Sequence, residues 1–312
     1  IREKVSAGRR LSKDDVIRSQ RILNANGLAV PHWPKEWGGR GWSAVRRYIY
    51  TEELQRAAVP LPLQFNCFMI GPVIAAFGTE EQKSRFLPRA ANLDDWWCQG
   101  FSEPGAGSDL ASLKTSATRT NEGYRVNGQK TWTTYAQYAD WIFCLVRTDP
   151  DAKKQEGISF MLLDMAQKGV TVRPIRDIAG HEEFCEVFLD EARTPVSNLV
   201  GELNKGWTVA KSLLGFERIH IGSPKMPEYG LTVLERVAQA QGVWDDPVFR
   251  EKYVALKLDV AHLTDAYNHF TGIVVRGEQL GQDVSYLKIW ASESFQRIAD
   301  LVVASADQRT MP

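Results

Sequence analysis

The sequence predicts an α+β fold, mostly α, in which an N-terminal helical domain is followed by a middle β-domain and then by a C-terminal helical bundle. Three changes of texture carry that reading: helical spacing of apolar residues over the first ninety or so positions, alternation broken by turn residues after Asp95, and helical spacing again from Asn204. The expected domains are 1–94, 95–196 and 197–312, in a chain of 312 residues that is long enough for several packed units.

Ser12-x-x-Asp15 reads as a capping box, Val16, Ile17 and Leu23 follow at helical spacing, and Gly27 is a stop. A Pro/Trp/Gly-rich loop over 31–41 leads to helical patterns at 44–56 and 69–77. Thr79-x-x-Gln82 is a second capping box, and Pro88 is expected to end the helix it starts. Further on, Tyr124-Arg125-Val126 runs into an Asn127-Gly128 turn, and 141–146, 158–163, 170–172 and 187–189 read as short strands. Long helices are expected over 207–222, 228–241, 246–276 and 283–304, with no internal repeat.

The chain carries 38 basic and 38 acidic residues, so no excess of charge points to nucleic acid or to an anionic membrane surface. A small-molecule partner is expected instead. Cys67, Cys98, Cys144 and Cys185 form no C-x-x-C pair and read as buried, reduced thiols. No apolar run approaches the ~18 residues of a membrane span, and the charged opening Ile1-Arg2-Glu3-Lys4 is not a signal peptide. The expectation is a soluble, cytoplasmic protein, with further chain beyond both ends of a sequence that starts without Met.

Three segments carry chemistry. In Gly100-Phe101-Ser102-Glu103-Pro104-Gly105-Ala106-Gly107-Ser108-Asp109, closely spaced glycines let a backbone approach a ligand; the same pattern also makes an ordinary connecting loop. Asn127-Gly128-Gln129-Lys130-Thr131-Trp132-Thr133-Thr134 offers an aromatic plane beside hydroxyls, which suits the wall of a flavin site or a plain strand with one core Trp. In the third segment, 206–222, Glu217 shares a helical stripe with Leu213, Leu214 and Ile221 and is expected to be buried. Burial raises a carboxyl's pKa towards that of a working base; half of a structural ion pair with an Arg fits the spacing equally well.

Taken together, Ser-Glu-Pro-Gly-Ala-Gly-Ser-Asp at 102–109 and Asn-Gly-Gln-Lys-x-Trp-x-Thr at 127–134 resemble the acyl-CoA dehydrogenase family. The likeness extends to Thr79-Glu80-Glu81-Gln82-Lys83 before Phe86-Leu87-Pro88, and to Asn198-Leu199-Val200-Gly201-Glu202 before Gly206-Trp207. It implies FAD as cofactor and α,β-dehydrogenation of an acyl-CoA to a trans-2-enoyl-CoA, with electrons passed to an electron-transfer flavoprotein. Carried over by motif, the cofactor-binding candidates are Gln99, Phe101, Ser102, Ser108, Trp132, Thr133 and Thr134. Ser102 is placed near the pyrimidine edge, Trp132 beside the ring and Thr134 near N5. Ser108 also borders substrate, with Phe216 and Arg218. Glu217, just before Arg218, matches one of the two family positions of the glutamate base.

The sequence departs from the family pattern at 242–250, where many members carry an Arg-x-x-Phe-Gly string that reaches a neighbouring subunit's FAD, and the C-terminal portion that in the family supplies a Gly-rich turn against the cofactor is expected beyond residue 312. Such departures occur in heteromeric members that act on bulky acyl groups, so a homo- or hetero-oligomer of acyl-CoA dehydrogenase subunits is expected. The competing readings are an acyl-CoA oxidase or flavin monooxygenase on the same scaffold, and a non-catalytic partner subunit.

Overall fold

Helix starts in the first part of the chain follow the capping chemistry written in the sequence. The structure, a computed structural model, describes residues 1–278 and 280–306, apart from the side chains at 44, 48, 52 and 214–221. Helix α1 (Arg2–Ser6) precedes α2 (Lys13–Ala25). Ser12 Oγ accepts from the Asp15 N–H at 3.2 Å while the Asp15 carboxylate accepts from the Ser12 N–H at 3.0 Å, so two otherwise orphaned amides are satisfied reciprocally. After Asn26 the chain turns at Gly27, whose φ of +65° lies in the left-handed region. Helix α3 (Ala44–Arg56) is capped by Ser43.

The helix expected over 69–77 begins earlier and in another form: Phe65–Ile70 is a π-helical turn that runs into α4 (Gly71–Phe77). Helix α5 (Glu80–Asn92) opens on the Thr79/Gln82 capping box. Pro88 does not end it. The helix continues four residues beyond, because Phe86, Leu87 and Ala90 are buried to 1 % exposure or less and hold the turn across the missing N–H. It stops where Leu93 takes a left-handed conformation and the Asp94 N–H reaches Arg89 O at 2.8 Å.

Among the described residues, eight strands form one mixed sheet: β1 (Trp97–Gly100), β2 (Ser116–Thr120), β3 (Gly123–Thr134), β4 (Trp141–Arg147), β5 (Ile158–Asp164), β6 (Val170–Ile175), β7 (Phe184–Thr194) and β8 (Leu199–Val200). The order is β6-β7-β3-β2-β4-β5-β8, and β1 pairs with β4 in parallel. Strand β5 lies along the whole of β4, so β1 and β2 share β4's other edge, at 141–144 and at Arg147 respectively. The loop 101–115 therefore leaves the sheet where that edge passes from one strand to the next.

Asn127-Gly128 is not a turn. Both residues lie inside β3, at a register shift against β7, and the hairpin to β2 closes earlier, at 121–122. The Asn127 side chain is engaged across the ladder, accepting from the Glu191 N–H at 2.8 Å and donating to its carboxylate at 2.8 Å. Gly128 is required by a close approach, since a Cβ there would sit 2.5 Å from Thr115 Oγ1.

Helix and sheet of this first part are joined by buried polar and aromatic contacts. Asn66, in the π-helical turn, donates to Ala90 O at 3.0 Å and Asp95 O at 2.7 Å and accepts from the Trp97 N–H at 3.0 Å. Phe86 of α5 stands edge-on to Trp97 and Trp141, at 5.4 and 5.1 Å. The four cysteines are free and buried, as expected.

The chain divides into two compact units, Ile1–Leu213 and Leu214–Pro312, and α6 (Gly206–Ile221) carries it from one to the other. The second unit is helical: α7 (Lys225–Ala240), α8 (Pro247–Val275) and α9 (Ser285–Ser305). Asp246 caps α8 by accepting from Val248 N–H at 2.8 Å, with Pro247 at the first helical position. Leu234, Ala238, Phe249, Tyr253, Val260 and Ile298 form one core; Leu263, Val284 and Leu287 belong to another. Asp259 of α8 accepts from Trp290 Nε1, Ser294 Oγ and Arg297 Nη2 of α9, at 2.9, 2.5 and 2.7 Å. Among the described residues, no helix is long and apolar enough to cross a membrane.

Candidate functional site

Two sequence segments about twenty residues apart are brought side by side in the first unit. The first leaves β1: Gln99 is half-buried opposite Phe143, and Phe101, 6 % exposed, packs edge-on to Phe143 and Phe160 at 5.9 and 6.2 Å. A tight turn follows, closed by Glu103 N–H to Ala106 O at 2.9 Å and Ala106 N–H to Glu103 O at 3.1 Å. Ala106 points inward while Gly105, Gly107, Ser108 and Asp109 face solvent, and nothing lies within 4 Å of where a Cβ at Gly105 or Gly107 would be. The outer face of the loop is thus open backbone with a hydroxyl at its end, a surface that another molecule can approach closely.

The second segment is the end of β3. Lys130 pairs with Val187 and Thr133 with Cys185, so three steps on β3 face two on β7 and one residue is extra. Trp132 takes up the mismatch in a left-handed conformation, φ +57°, which is unusual for a bulky side chain. It is pushed outward, 61 % exposed, and meets Phe184 in a T-shaped arrangement with ring centroids 6.0 Å apart. The alternation resets beyond it: Thr133 is buried, with its hydroxyl making no protein hydrogen bond, and Thr134 is half-buried. Tyr135 is again left-handed, φ +57°. The two segments meet through the Thr131 N–H, which donates to Ser102 O at 2.9 Å.

Beneath this seam lies an ion pair that the sequence reading did not single out. Lys130 is fully buried, and its Nζ donates to Glu103 Oε1 at 2.8 Å, Leu145 O at 2.8 Å and Phe101 O at 3.3 Å. Glu103 also accepts from the N–H groups of Lys114 at 2.7 Å and Thr115 at 2.9 Å. Burial pushes its carboxyl up, but the charge and hydrogen bond of Lys130, with those two amides, offset this and leave it below the usual carboxylate range. A signal was present in the sequence: the period of two that turns Tyr124 and Val126 inward also turns Lys130 inward, and a buried Lys calls for a carboxylate partner.

An exposed aromatic face held by strained backbone, an unpartnered buried hydroxyl and an open glycine backbone fit a flat, hydrogen-bonding cofactor such as a flavin. Ser102, Ser108, Trp132, Thr133 and Thr134 are brought onto these two segments, with Gln99 and Phe101 at their root. Phe216, Glu217 and Arg218 lie in α6 by backbone, and their side chains are outside the described residues; so is the expected burial of Glu217. No group of three or more metal-ligating side chains is found among the described residues.

Comparison with known proteins matches three family models in order along the chain: acyl-CoA dehydrogenase N-terminal domain at residues 9–94, middle domain at 98–192 and C-terminal domain at 204–305. The acyl-CoA dehydrogenase IpdE1 of Mycobacterium tuberculosis is 40% identical over 274 residues, 86% of this chain and 71% of that protein. Among solved structures, the Tcur3481-Tcur3483 steroid ACAD is 30% identical with a TM-score of 0.84, covering 94% of this chain and 76% of that one. The ChsE4-ChsE5 complex of M. tuberculosis is 31% identical with a TM-score of 0.78, covering 100% of this chain and 82% of that one.

Proposed function

This chain belongs to the acyl-CoA dehydrogenase family of FAD-dependent oxidoreductases, and from that premise we propose that it oxidises an acyl-CoA thioester to the trans-2-enoyl-CoA and passes the electrons to an electron-transfer flavoprotein. The observation that carries the cofactor half of the reading is the seam between Ser102 and Thr131, which sets the open loop beside the outward-facing Trp132. FAD, when bound, supplies the acceptor for the hydride that leaves the β-carbon. Trp132 offers it an aromatic face, and the hydroxyls of Ser102, Ser108, Thr133 and Thr134 are its hydrogen-bonding groups, with Gln99 and Phe101 supporting the loop. Glu217 takes the α-proton, and Phe216, Arg218 and Ser108 border the acyl-CoA. The proposed domains are 1–94, 95–196 and 197–312, a division supported by the three matched spans.

The likenesses to Tcur3481-Tcur3483 and to the ChsE4-ChsE5 complex favour a hetero-oligomer with a second subunit of the same family, and the first of them, a steroid ACAD, favours a bulky, steroid-type acyl group. A panel of straight-chain, branched and steroid side-chain acyl-CoA esters, followed anaerobically by bleaching of the flavin absorption, tests the reaction. Bleaching with one class identifies the substrate; FAD bound but bleached by none removes the dehydrogenase reading, and rapid peroxide formation on admitting air replaces it with an oxidase.

A further inference from the structure

The motif residues thought to touch the cofactor stand at the surface of the seam, but what fixes them lies underneath. The loop 101–115 is held to the sheet near its end by Arg147 of β4, which donates to Ala111 O and Thr115 O, each at 2.7 Å, while the ties that reach the stretch carrying Ser102 centre on Glu103 and Lys130. Lys130 Nζ holds Phe101 O and Leu145 O as well as the Glu103 carboxylate, and so joins the loop's first residue, its third and the middle of β4 at one atom. The carboxylate in turn holds the amides of Lys114 and Thr115, where the loop re-enters the sheet at β2. Glu103 is 8 % exposed and Lys130 is 0 % exposed, and neither reaches the surface that Trp132 and Ser108 present. Nothing in this arrangement is needed for sheet pairing, which β3 makes with β2 and β7. A buried ion pair is also a poor way of adding stability compared with apolar packing. Its geometric effect is specific: Phe101 and Glu103 flank Ser102, while Thr131, beside Lys130, holds Ser102 O.

We propose that the buried Lys130–Glu103 pair is a positioning device that locks the loop carrying Ser102 and Ser108 to the bulge carrying Trp132, and thereby pre-organises the FAD site; this rests on the cofactor reading above. Loop and bulge are then one rigid wall. The FAD-binding groups do not have to be ordered when the cofactor arrives, which lowers the cost of binding it.

The full chain tests this with the double variant Lys130→Met/Glu103→Gln, which removes both charges together and leaves no buried charge unpaired. The measurements are the FAD dissociation constant and the fine structure of the bound flavin's visible absorption, with far-UV circular dichroism to monitor the fold. Expected is a folded protein whose FAD affinity falls by about tenfold or more and whose flavin band loses its resolved shoulder. A folded variant with unchanged affinity and spectrum overturns the proposal. Trp132→Ala in the same assay separates the two ideas: if it weakens FAD binding and the double variant does not, the cofactor reading stands and the positioning role falls. If neither does, or the unsubstituted protein binds no FAD, both fall. Should the double variant not fold, hydrogen exchange in the unsubstituted protein decides. The amides of Lys114 and Thr115 are expected to exchange about a hundredfold more slowly than those of Gly105 and Gly107, and equal rates overturn the proposal.

Discussion

The rings of Trp132 and Phe184 meet in a T-shaped arrangement, with centroids 6.0 Å apart and an interplanar angle of 82°, yet more than half of Trp132 is left uncovered. An exposed Trp in a left-handed conformation is costly in both backbone and solvation. The expected result of Trp132→Gly is a divergence. Backbone strain of about 1–2 kcal/mol is relieved, so the apoprotein is as stable as before within about 1 kcal/mol, while FAD binding weakens roughly three- to tenfold from loss of the stacking face. Parallel chemical denaturation and FAD titration check it; equal losses in both would make Trp132 a packing residue.

Glu217→Gln keeps the shape of the side chain and removes its basicity. Under the proposed reaction, FAD content and binding of the acyl-CoA stay near those of the unsubstituted protein while turnover falls by about two to four orders of magnitude. Single-turnover flavin bleaching is the measurement, and unchanged bleaching would take Glu217 out of the mechanism.

Half-buried His32 predicts an acid limb to stability. Its Nε2–H donates to Cys67 O at 2.9 Å, leaving Nδ1 buried without a partner, and the ring stacks on Phe68 at 4.8 Å. Burial, followed by the nearby charge of Arg47, lowers its pKa from 6.5 to about 4. The folded value lies below the unfolded one, so the contribution is complete above pH 6.5 and is lost as pH falls towards 4. The size of that loss is roughly 3 kcal/mol. Urea unfolding at about pH 7 and about pH 4.5 measures it, and His32→Phe, which retains a stacked ring, is expected to flatten the slope.

Gly71 predicts the reverse of the usual helix rule. Replacing a helical Gly with Ala commonly gains up to about 1 kcal/mol. Here the added Cβ would fall 1.8 Å from Cζ2 of Trp33, itself 1 % exposed and held by a hydrogen bond from Nε1 to Cys67 O at 2.8 Å. Gly71→Ala is expected to cost about 1–3 kcal/mol, read as a lower denaturation midpoint.

Much of this was legible in the sequence because capping and periodicity are local. Ser12/Asp15 and Thr79/Gln82 form the boxes their spacing implies, and the long helices of the second unit fall close to where the apolar stripes put them. What local reasoning missed was decided at a distance. Pro88 is carried inside α5 by burial of its neighbours, and Asn127-Gly128 is kept extended by Glu191 and Thr115 from other strands. At the candidate site the residue types were readable, but the bulge that turns Trp132 outward depends on register with β7, and the join between Lys130 and Glu103 depends on the fold bringing two segments together.

The four buried thiols have a practical consequence. Burial raises the pKa of each, Cys144 to about 12, so the reactive thiolate is scarce and shielded in the folded chain. Alkylation therefore runs only as fast as the structure opens, and each cysteine acts as a stopwatch for its own neighbourhood. Cys67 times the π-helical turn beneath His32 and Trp33, and Cys98, Cys144 and Cys185 time the sheet. Mass-resolved labelling of these four sites would show whether helices and sheet of the first unit come apart together or in sequence.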